Sequence, residues 1–250
     1  MVLGIGNSAG IFQRNLQRFI IYYLVRNNEK KMYELTKYLF PNFLRRAKKY
    51  GGRTLKSIIY DNIINPKDFQ PTTKQLLRLA KNNGLSLYSS YPNIVPAFLS
   101  DSAHKDNSNI GNYMNVLSMN DIFGLVHKKD DQKKLSLIDK KISNEVNSIN
   151  SLTLLINNIG SKKNPTLVEI EKKIKLLDNN NFKNLKFLDT IKNIFTVSDF
   201  FYFCKELKRL IKILKTKNIK KLKSFLKKTK ILFKGSSGIG MNYYVFYKNK

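Results

Sequence analysis

The charge balance of this chain limits the folds that it can adopt. Its 250 residues carry 46 Lys and Arg against 17 Asp and Glu, which gives a formal net charge of +29 at pH 7. Because charged side chains are rarely buried without a partner, most of these cations must lie at the surface or against an anionic ligand. Hydrophobic residues make up 42% of the chain, which predicts a substantial core. We therefore expect a true core that presents a strongly basic surface.

The positive charge is concentrated toward the two ends of the chain. Residues 1–60 hold twelve Lys and Arg against two acids, and residues 161–250 hold twenty-three against six. Residues 61–90 have four cations and two acids, and residues 91–160 have seven of each. Such a neutral middle between basic flanks favours binding to a polyanion through the flanks. Abundant Lys, Asn and Ile also indicate an AT-rich genome, whose codon bias raises the lysine content by itself.

Helix and strand patterns alternate in the first 160 residues. A helix is predicted over residues 28–52, where Pro41 marks a kink or a start and the pair Gly51–Gly52 marks the end. Strand patterns are found at 53–64, 85–88 and 93–99, and further helix patterns at 72–84, 109–119 and 147–160. This alternation predicts parallel βαβ units. The expected fold class is therefore α/β, a doubly wound parallel sheet with flanking helices.

A lysine-rich extension is predicted after Gly160. We expect residues 1–160 to form the α/β domain and residues 161–250 a mainly helical extension that ends in a short strand or hairpin. Residues 198–233 are apolar on one side of a helix and almost wholly lysine on the other. A helix of this kind binds RNA, an acidic partner or a membrane surface. RNA is favoured because the N-terminal flank is basic as well.

Candidate catalytic and metal-binding groups are few. The only histidines, His104 and His127, are far in sequence from Cys204, so no metal-ligand spacing is present, and Cys204 is expected to be a buried thiol. The glycine-rich stretch 235–240 has no helix pattern after it and is expected to be a hairpin turn rather than a phosphate-binding loop. Neither a transmembrane span nor a targeting segment can be recognised.

Asp101 is the most interesting carboxylate, because it follows the predicted strand 93–99. It could act with Asp106 or with the pair Asp130–Asp131 as an acid/base or divalent-metal site. Lysines stand beside all of these acids, and they would compete with a metal ion. We therefore expect no enzymatic activity and no cofactor.

Four segments within residues 14–160 follow one another in the order of a known family. The first is "YLVRNNEKKMYELTKYLFPNFLRRA", in which Arg26 and Asn27 match an RN pair and Leu35 and Lys37 a later leucine and lysine. The others are "YPNIVPAFLSD", "MNVLSMNDIFGLVHKKDD" and "IDKKISNEVNSINSLTLLINNI". Together they resemble the small-subunit ribosomal protein S-two family of bacterial and organellar type.

That resemblance implies a fold and a structural role. The implied fold is the doubly wound α/β structure, with the family's helical hairpin reduced or absent. The implied partners are small-subunit rRNA and neighbouring ribosomal proteins, without catalysis, a membrane or a small-molecule substrate. The expected location is the mitochondrial matrix, with a plastid as the alternative. A free-standing RNA-binding or RNA-processing factor and a metal-dependent nuclease remain as rival functions, and the scattered acids disfavour the nuclease.

Two groups of basic residues are the predicted RNA contacts, since lysine and arginine neutralise phosphates. The first group is Arg14, Arg18, Arg26, Arg45, Arg46, Lys48, Lys49 and Arg53. The second group lies between residues 205 and 230 and comprises Lys205, Lys208, Arg209, Lys212, Lys215, Lys220, Lys221, Lys223, Lys227 and Lys228. Nearby aromatic residues could stack on unpaired bases, although such residues are more often core. They are Tyr22, Tyr23, Tyr50, Tyr243 and Tyr244.

Overall fold

A computed structural model describes residues 1–6, 11–26, 28–65, 71, 73–91, 140–158, 165–178, 197–233 and 241–248. These residues form nine α-helices and three strands. Helices α1 to α9 are Phe12–Val25, Glu29–Leu39, Pro41–Gly51, Leu55–Ile59, Thr73–Asn82, Ser143–Asn157, Leu167–Asp178, Val197–Lys215 and Ile219–Lys228. Strands β1 to β3 are Val2–Gly6, Leu85–Tyr91 and Met241–Lys248. A π-helical turn, Tyr60–Ile64, continues α4.

The three strands form one antiparallel sheet in the order β1-β3-β2. Val2 lies opposite Val245 and Leu85 opposite Lys248, so the last strand of the chain is the central one. The predicted doubly wound parallel sheet is wrong, because the described part of the chain is mostly helical and has only this small antiparallel sheet. The alternation of helix and strand patterns in the sequence led to the wrong fold class, because it does not specify which strands pair with each other.

The predicted strand 53–64 is helical instead. Its isoleucines favour a strand, but Thr54 begins a helix because its hydroxyl accepts a hydrogen bond from the backbone N–H of Ser57 at 3.1 Å. The isoleucine pairs 58–59 and 63–64 are five residues apart and are all buried. The i→i+5 spacing is that of a π-helix, whose bond from the Asn65 N–H to the Tyr60 carbonyl measures 2.7 Å. One face of the helical segment therefore buries both pairs.

Local helix signals were more reliable. Pro41 occupies the first turn of α3, so the helix predicted over 28–52 is two helices, and Gly52 ends the second with a φ of 59°. The helix predicted over 198–233 is also two helices, α8 and α9. Asn218 starts α9, since its side chain accepts a hydrogen bond from the Lys221 N–H at 2.8 Å. The patterns at 93–99, 109–119 and 235–240 lie outside the described residues.

One hydrophobic cluster joins the two ends of the chain. Phe12 of α1 and Phe203 of α8 are fully buried, with ring centroids 5.7 Å apart. Tyr244 and Phe246 of β3 belong to the same cluster, and the Tyr244 hydroxyl is 3.1 Å from the hydroxyl of Thr73 in α5. Residues on both sides of Gly160 therefore share this core, and the division of the chain at that residue stays a prediction.

A buried carboxylate fastens the segment after α9. Glu206 of α8 is 8% exposed, and its carboxylate accepts hydrogen bonds from the backbone N–H groups of Lys230, Ile231 and Leu232. The bonds to Ile231 and Leu232 measure 3.1 and 2.9 Å. The side chain of Gln13 in α1 accepts another from Phe233 at 2.6 Å. Hydrogen bonds to a charged acceptor are stronger than neutral ones, so Glu206 holds this segment firmly against α8, while Gln13 connects it to α1.

We expect Glu206→Gln to destabilise the fold by about 2–4 kcal/mol, because an amide offers one acceptor oxygen instead of two and turns an N–H₂ toward backbone N–H groups. Urea unfolding measures the change. Glu34→Gln is the matched control, since Glu34 makes only an exposed 3.3 Å ion pair with Lys37, and it should alter the unfolding free energy by less than about 0.5 kcal/mol. Equal effects of the two substitutions would contradict the role given to Glu206.

Candidate nucleic-acid interface

Helices α2 and α9 pack against each other. At one end Lys31 and Lys217 line the same cleft. Further along, the Lys223 ammonium lies 3.4 Å from the centroid of the Tyr38 ring. At the far end Leu39 and Lys227 line a second, smaller cavity. The basic N-terminal flank and the basic C-terminal flank of the chain therefore meet along this pair of helices.

Helix α9 has a clear division between apolar and basic sides. Its apolar residues Leu222, Phe225 and Leu226 are buried. Lysines at positions 220, 221, 227 and 228 are exposed and recur at the spacing of one helix face. No acid is present between Ile219 and Lys228. The outer side of α9 thus carries four exposed lysines around Ser224 and no acid.

We define the α2–α9 surface as the exposed side chains of α2 and of residues 217–228. The two segments contain nine lysines, and only Glu29 and Glu34 oppose them. Glu34 pairs with Lys37, while the Glu29 carboxylate accepts a hydrogen bond from the Tyr60 hydroxyl at 3.2 Å, which raises the pKa of Tyr60. Both acids are thus occupied within the protein, and the surface keeps a large excess of positive charge.

The cleft at the start of α2 combines aromatic and basic side chains. We call it the aromatic–basic cleft; its volume is about 860 Å³, and it opens beside the first turn of α7. Six of its lining residues carry the aromatic rings and the charges: Phe19, Tyr22, Tyr23, Arg26, Lys31 and Lys217. The three cations come from the end of α1, from α2 and from the α8–α9 connection. No acid is among the described residues that line it.

The aromatic wall of the cleft is held in place by α1. The Tyr22 hydroxyl donates a hydrogen bond to the Ile64 carbonyl at 2.6 Å. Burial raises the pKa of Tyr22, and the nearby Arg18 charge opposes that rise. The Tyr23 ring is half-buried and packs against Phe19 with ring centroids 6.0 Å apart. Tyr23 therefore presents part of its ring to the cleft from a fixed position.

Two of the cleft's cations have unusual backbone conformations. Arg26 and Lys217 both have a φ of 51°, in the left-handed region that glycine adopts without strain. Lys217 follows the end of α8, a place where glycine is the preferred residue. Among the described residues other than glycine, only Phe233 shares a positive φ. The chain thus places long basic side chains where its backbone would favour glycine.

The predicted N-terminal contacts do not form one patch. Arg18 is buried, and its guanidinium donates to the Asn65 carbonyl at 2.5 Å, at the end of the π-helical turn. Arg53 forms an ion pair with Asp61 and donates to the Ser57 hydroxyl. The remaining members are a half-buried Arg14, Arg26 in the cleft, and exposed Arg45, Lys48 and Lys49 on α3; the side chain of Arg46 lies outside the description. These differences in burial could not be read from charge alone.

The C-terminal contacts divide between two helices. On α8, Lys215 forms a 2.6 Å ion pair with Glu171, and Lys208 and Lys212 line a cavity with that same acid. Lys205 and Arg209 each lie 5.6 Å from the centroid of a phenylalanine ring, those of Phe201 and Phe225 respectively. On α9, Lys220, Lys221, Lys227 and Lys228 are exposed and Lys223 covers Tyr38. The lysines of α9 are therefore the more accessible part of this group.

The sequence did not single out Lys31 and Lys217. Lys217 falls within the basic run 205–230, but no local pattern indicates that it lies beside Lys31 of α2. The predicted stacking residues also separate: Tyr22 and Tyr23 line the cleft, Tyr243 is exposed on β3, Tyr244 is buried, and the side chain of Tyr50 is outside the description. A signal for the cleft would require knowledge of how α2, α7 and α9 pack.

Groups suited to catalysis are sparse in the described residues. His104, His127 and the aspartates at 101, 106, 130 and 131 lie outside them, so the predicted site around Asp101 has no structural outcome. Cys204 is a buried free thiol, as expected. In the described ranges no three His, Cys, Asp or Glu side chains are grouped to hold a metal ion. The same ranges contain no helix that is long and apolar enough to cross a membrane.

One buried carboxyl, Glu145 in the first turn of α6, has an unusual environment. It is 8% exposed, and its Oε2 has no hydrogen-bond partner among the described residues. Burial raises the pKa of Glu145, and a hydrogen bond to its own backbone N–H opposes the rise. Folding therefore favours the protonated form of this side chain.

We expect Glu145→Gln to stabilise the protein at pH 7. A raised pKa in the folded state makes the wild-type protein lose stability as the pH rises from the unfolded carboxyl's pKa through the folded one, and glutamine removes this loss. The gain should disappear below about pH 4, where the carboxyl is protonated in both states. Urea unfolding at several pH values measures it.

Glu169 provides the opposite case. Its carboxylate accepts hydrogen bonds from the backbone N–H and the hydroxyl of Thr166, and these bonds lower the pKa of Glu169. Glu169→Gln should therefore destabilise the protein at pH 7, with the difference closing as the pH falls through the lowered pKa. Parallel pH profiles for the two variants would contradict both assignments.

Comparison with known proteins gave no relative from which to transfer a function. No protein-family model, no curated protein and no solved structure matches the chain.

Proposed function

We propose that this chain is a non-catalytic RNA-binding protein and that the α2–α9 surface is its main contact with RNA. The observation that carries the proposal is the meeting of the two basic flanks along these helices, with nine lysines against two acids. Phosphates are the ligands that such a surface neutralises best, since each contact releases a condensed counterion. The apolar side of α9 is buried in the protein, and the lysines at positions 220, 221, 227 and 228 are exposed on its other side.

The basic residues of this surface are mainly lysine rather than arginine, and this affects which part of an RNA the surface can recognise. A lysine ammonium is a point charge on a flexible stem, whereas arginine offers a planar fork for bidentate recognition of bases. Lys220 and Lys227 are seven residues apart in α9, about 10 Å along the helix axis. The surface therefore suits a run of phosphates without demanding a particular base sequence.

The particle to which we assign the protein is the small subunit of an organellar ribosome, in the mitochondrial matrix, with a plastid as the alternative. The support is the order of the four segments in residues 14–160 and the basic flanks. The doubly wound fold of the ribosomal S-two family is not part of this proposal, because the described residues form a different fold. A free-standing RNA-binding or RNA-processing factor is the alternative function.

Replacing the four exposed lysines of α9, at positions 220, 221, 227 and 228, by glutamine should weaken RNA binding. Each lost phosphate contact reduces the slope of log K against log salt by about 0.9 on the duplex-DNA scale, so the loss of four contacts should reduce the slope by about 3.6. Fluorescence anisotropy with a labelled RNA hairpin at several salt concentrations between 50 and 200 mM gives both slopes.

The matched control removes the same charge elsewhere. Lys81, Lys140, Lys172 and Lys248 are exposed on other elements, and their replacement by glutamine should leave most of the slope intact. If the control lowers the slope as much as the α9 variant, net charge and not the α2–α9 surface governs binding. A wild-type protein whose RNA affinity does not depend on salt would refute the proposed function itself.

Sedimentation separates the ribosomal protein from the free-standing factor. A constituent of the small subunit should be present in one copy per subunit and migrate with it through a sucrose gradient. A free-standing factor should be substoichiometric and leave the subunit when the gradient contains high salt, because its contacts are largely electrostatic.

A further inference from the structure

We propose that the aromatic–basic cleft binds an unpaired nucleotide of the RNA. This inference rests on the proposed function and adds a site with its own preference, which shares Lys31 and Lys217 with the α2–α9 surface. The α2–α9 surface would hold phosphates of any RNA, while the cleft at its end would accept a base that is not paired. RNA recognition commonly uses such bases, because their faces and edges are accessible only outside a duplex.

The charges of the cleft suit the phosphate of such a nucleotide. Arg26, Lys31 and Lys217 come from three different elements and line the same space. None of them makes an ion pair with an acid within the described residues, in contrast to Lys37, Arg53 and Lys215. Three unpaired cations around one opening concentrate positive potential, which attracts an anion.

The aromatic wall suits the base. Tyr23 packs on Phe19 and keeps part of its ring open to the cleft, next to Tyr22, which is fixed by its bond to Ile64. Stacking on an aromatic ring is available to every base because every base has a π-face. The volume, about 860 Å³, lies in the range of sites that take small organic molecules, so a nucleotide has room to enter.

The backbone of the cleft is the second, independent observation. Arg26 and Lys217 hold positive φ angles that glycine would adopt at less cost, and both side chains line the cleft. Strained backbone conformations cluster at active sites and ligand-binding sites of folded proteins. Substitution by glycine should therefore have opposite effects on stability and on binding. It relieves the backbone strain, and it removes the cation that would contact the nucleotide.

The experiment compares two RNA hairpins that differ only by one bulged nucleotide. The wild-type protein should bind the bulged hairpin more tightly than the fully paired one. Tyr23→Leu should lower the affinity for the bulged hairpin by roughly 5- to 150-fold, the loss of one stacked base, and leave the paired hairpin almost unchanged. Tyr23→Phe keeps the ring and should behave like wild type.

The glycine variants test whether a loss of binding could result from unfolding of the protein. Arg26→Gly and Lys217→Gly should melt at the same temperature as wild type or higher, yet lose the preference for the bulged hairpin. Equal binding of both hairpins by the wild-type protein would overturn the cleft assignment and leave the α2–α9 surface standing. The same holds if Tyr23→Leu and Tyr23→Phe act alike, or if the glycine variants retain the preference. Salt-independent binding to both hairpins would instead overturn the proposed function and the cleft with it.

Discussion

Electrostatic repulsion among the lysines opposes the folding of this protein. Helix α9 carries five lysines in ten residues and packs beside α2, which carries three more. Helix α9 is held to the protein by apolar burial of Leu222, Phe225 and Leu226, and the Lys223 ammonium over the Tyr38 ring connects it to α2. Because like charges lie close together on the outside, the isolated protein is held below the stability that its core would otherwise provide. A bound polyanion removes that repulsion, so ligand binding and folding favour each other.

The acids of the described region are used almost entirely within the protein. Glu206 binds three backbone N–H groups, Asp61 pairs with Arg53, and Glu171 pairs with Lys215. They fasten elements to one another and neutralise basic residues away from α9. The positions of the acids therefore determine where positive charge is left uncompensated. They distinguish the α2–α9 surface from other lysine-rich parts of the protein better than the number of lysines does.

The sequence predicted what is encoded locally. Pro41 begins a helix because its ring fixes φ, and Gly52 ends that helix because glycine adopts a positive φ without strain. The helices at 72–84 and 147–160 follow from apolar spacing. Residues 53–64 show where the prediction from residue type failed, because Thr54 caps a helix and the isoleucines that favour a strand are buried on that helical segment instead. The antiparallel pairing of the strands could not be predicted, because β3 pairs with strands that lie more than 150 residues away in the sequence. Similarly, positive charge predicted both Arg18 and Arg26 as RNA contacts. Only the packing of the structure shows that Arg18 is buried and that Arg26 lines the cleft.

The position of β3 has a consequence for synthesis. β1 and β2 do not pair with each other, and each is bonded to β3, while the amino group of Met1 donates to the Phe246 carbonyl at 2.7 Å. A growing chain releases its first strand long before its last one, and only Met241–Lys248 can join them. The chain up to Lys248 must therefore have left the ribosomal exit tunnel before this sheet can close. Until then the edges of β1 and β2 lack their partner strand and are open to pairing with other chains.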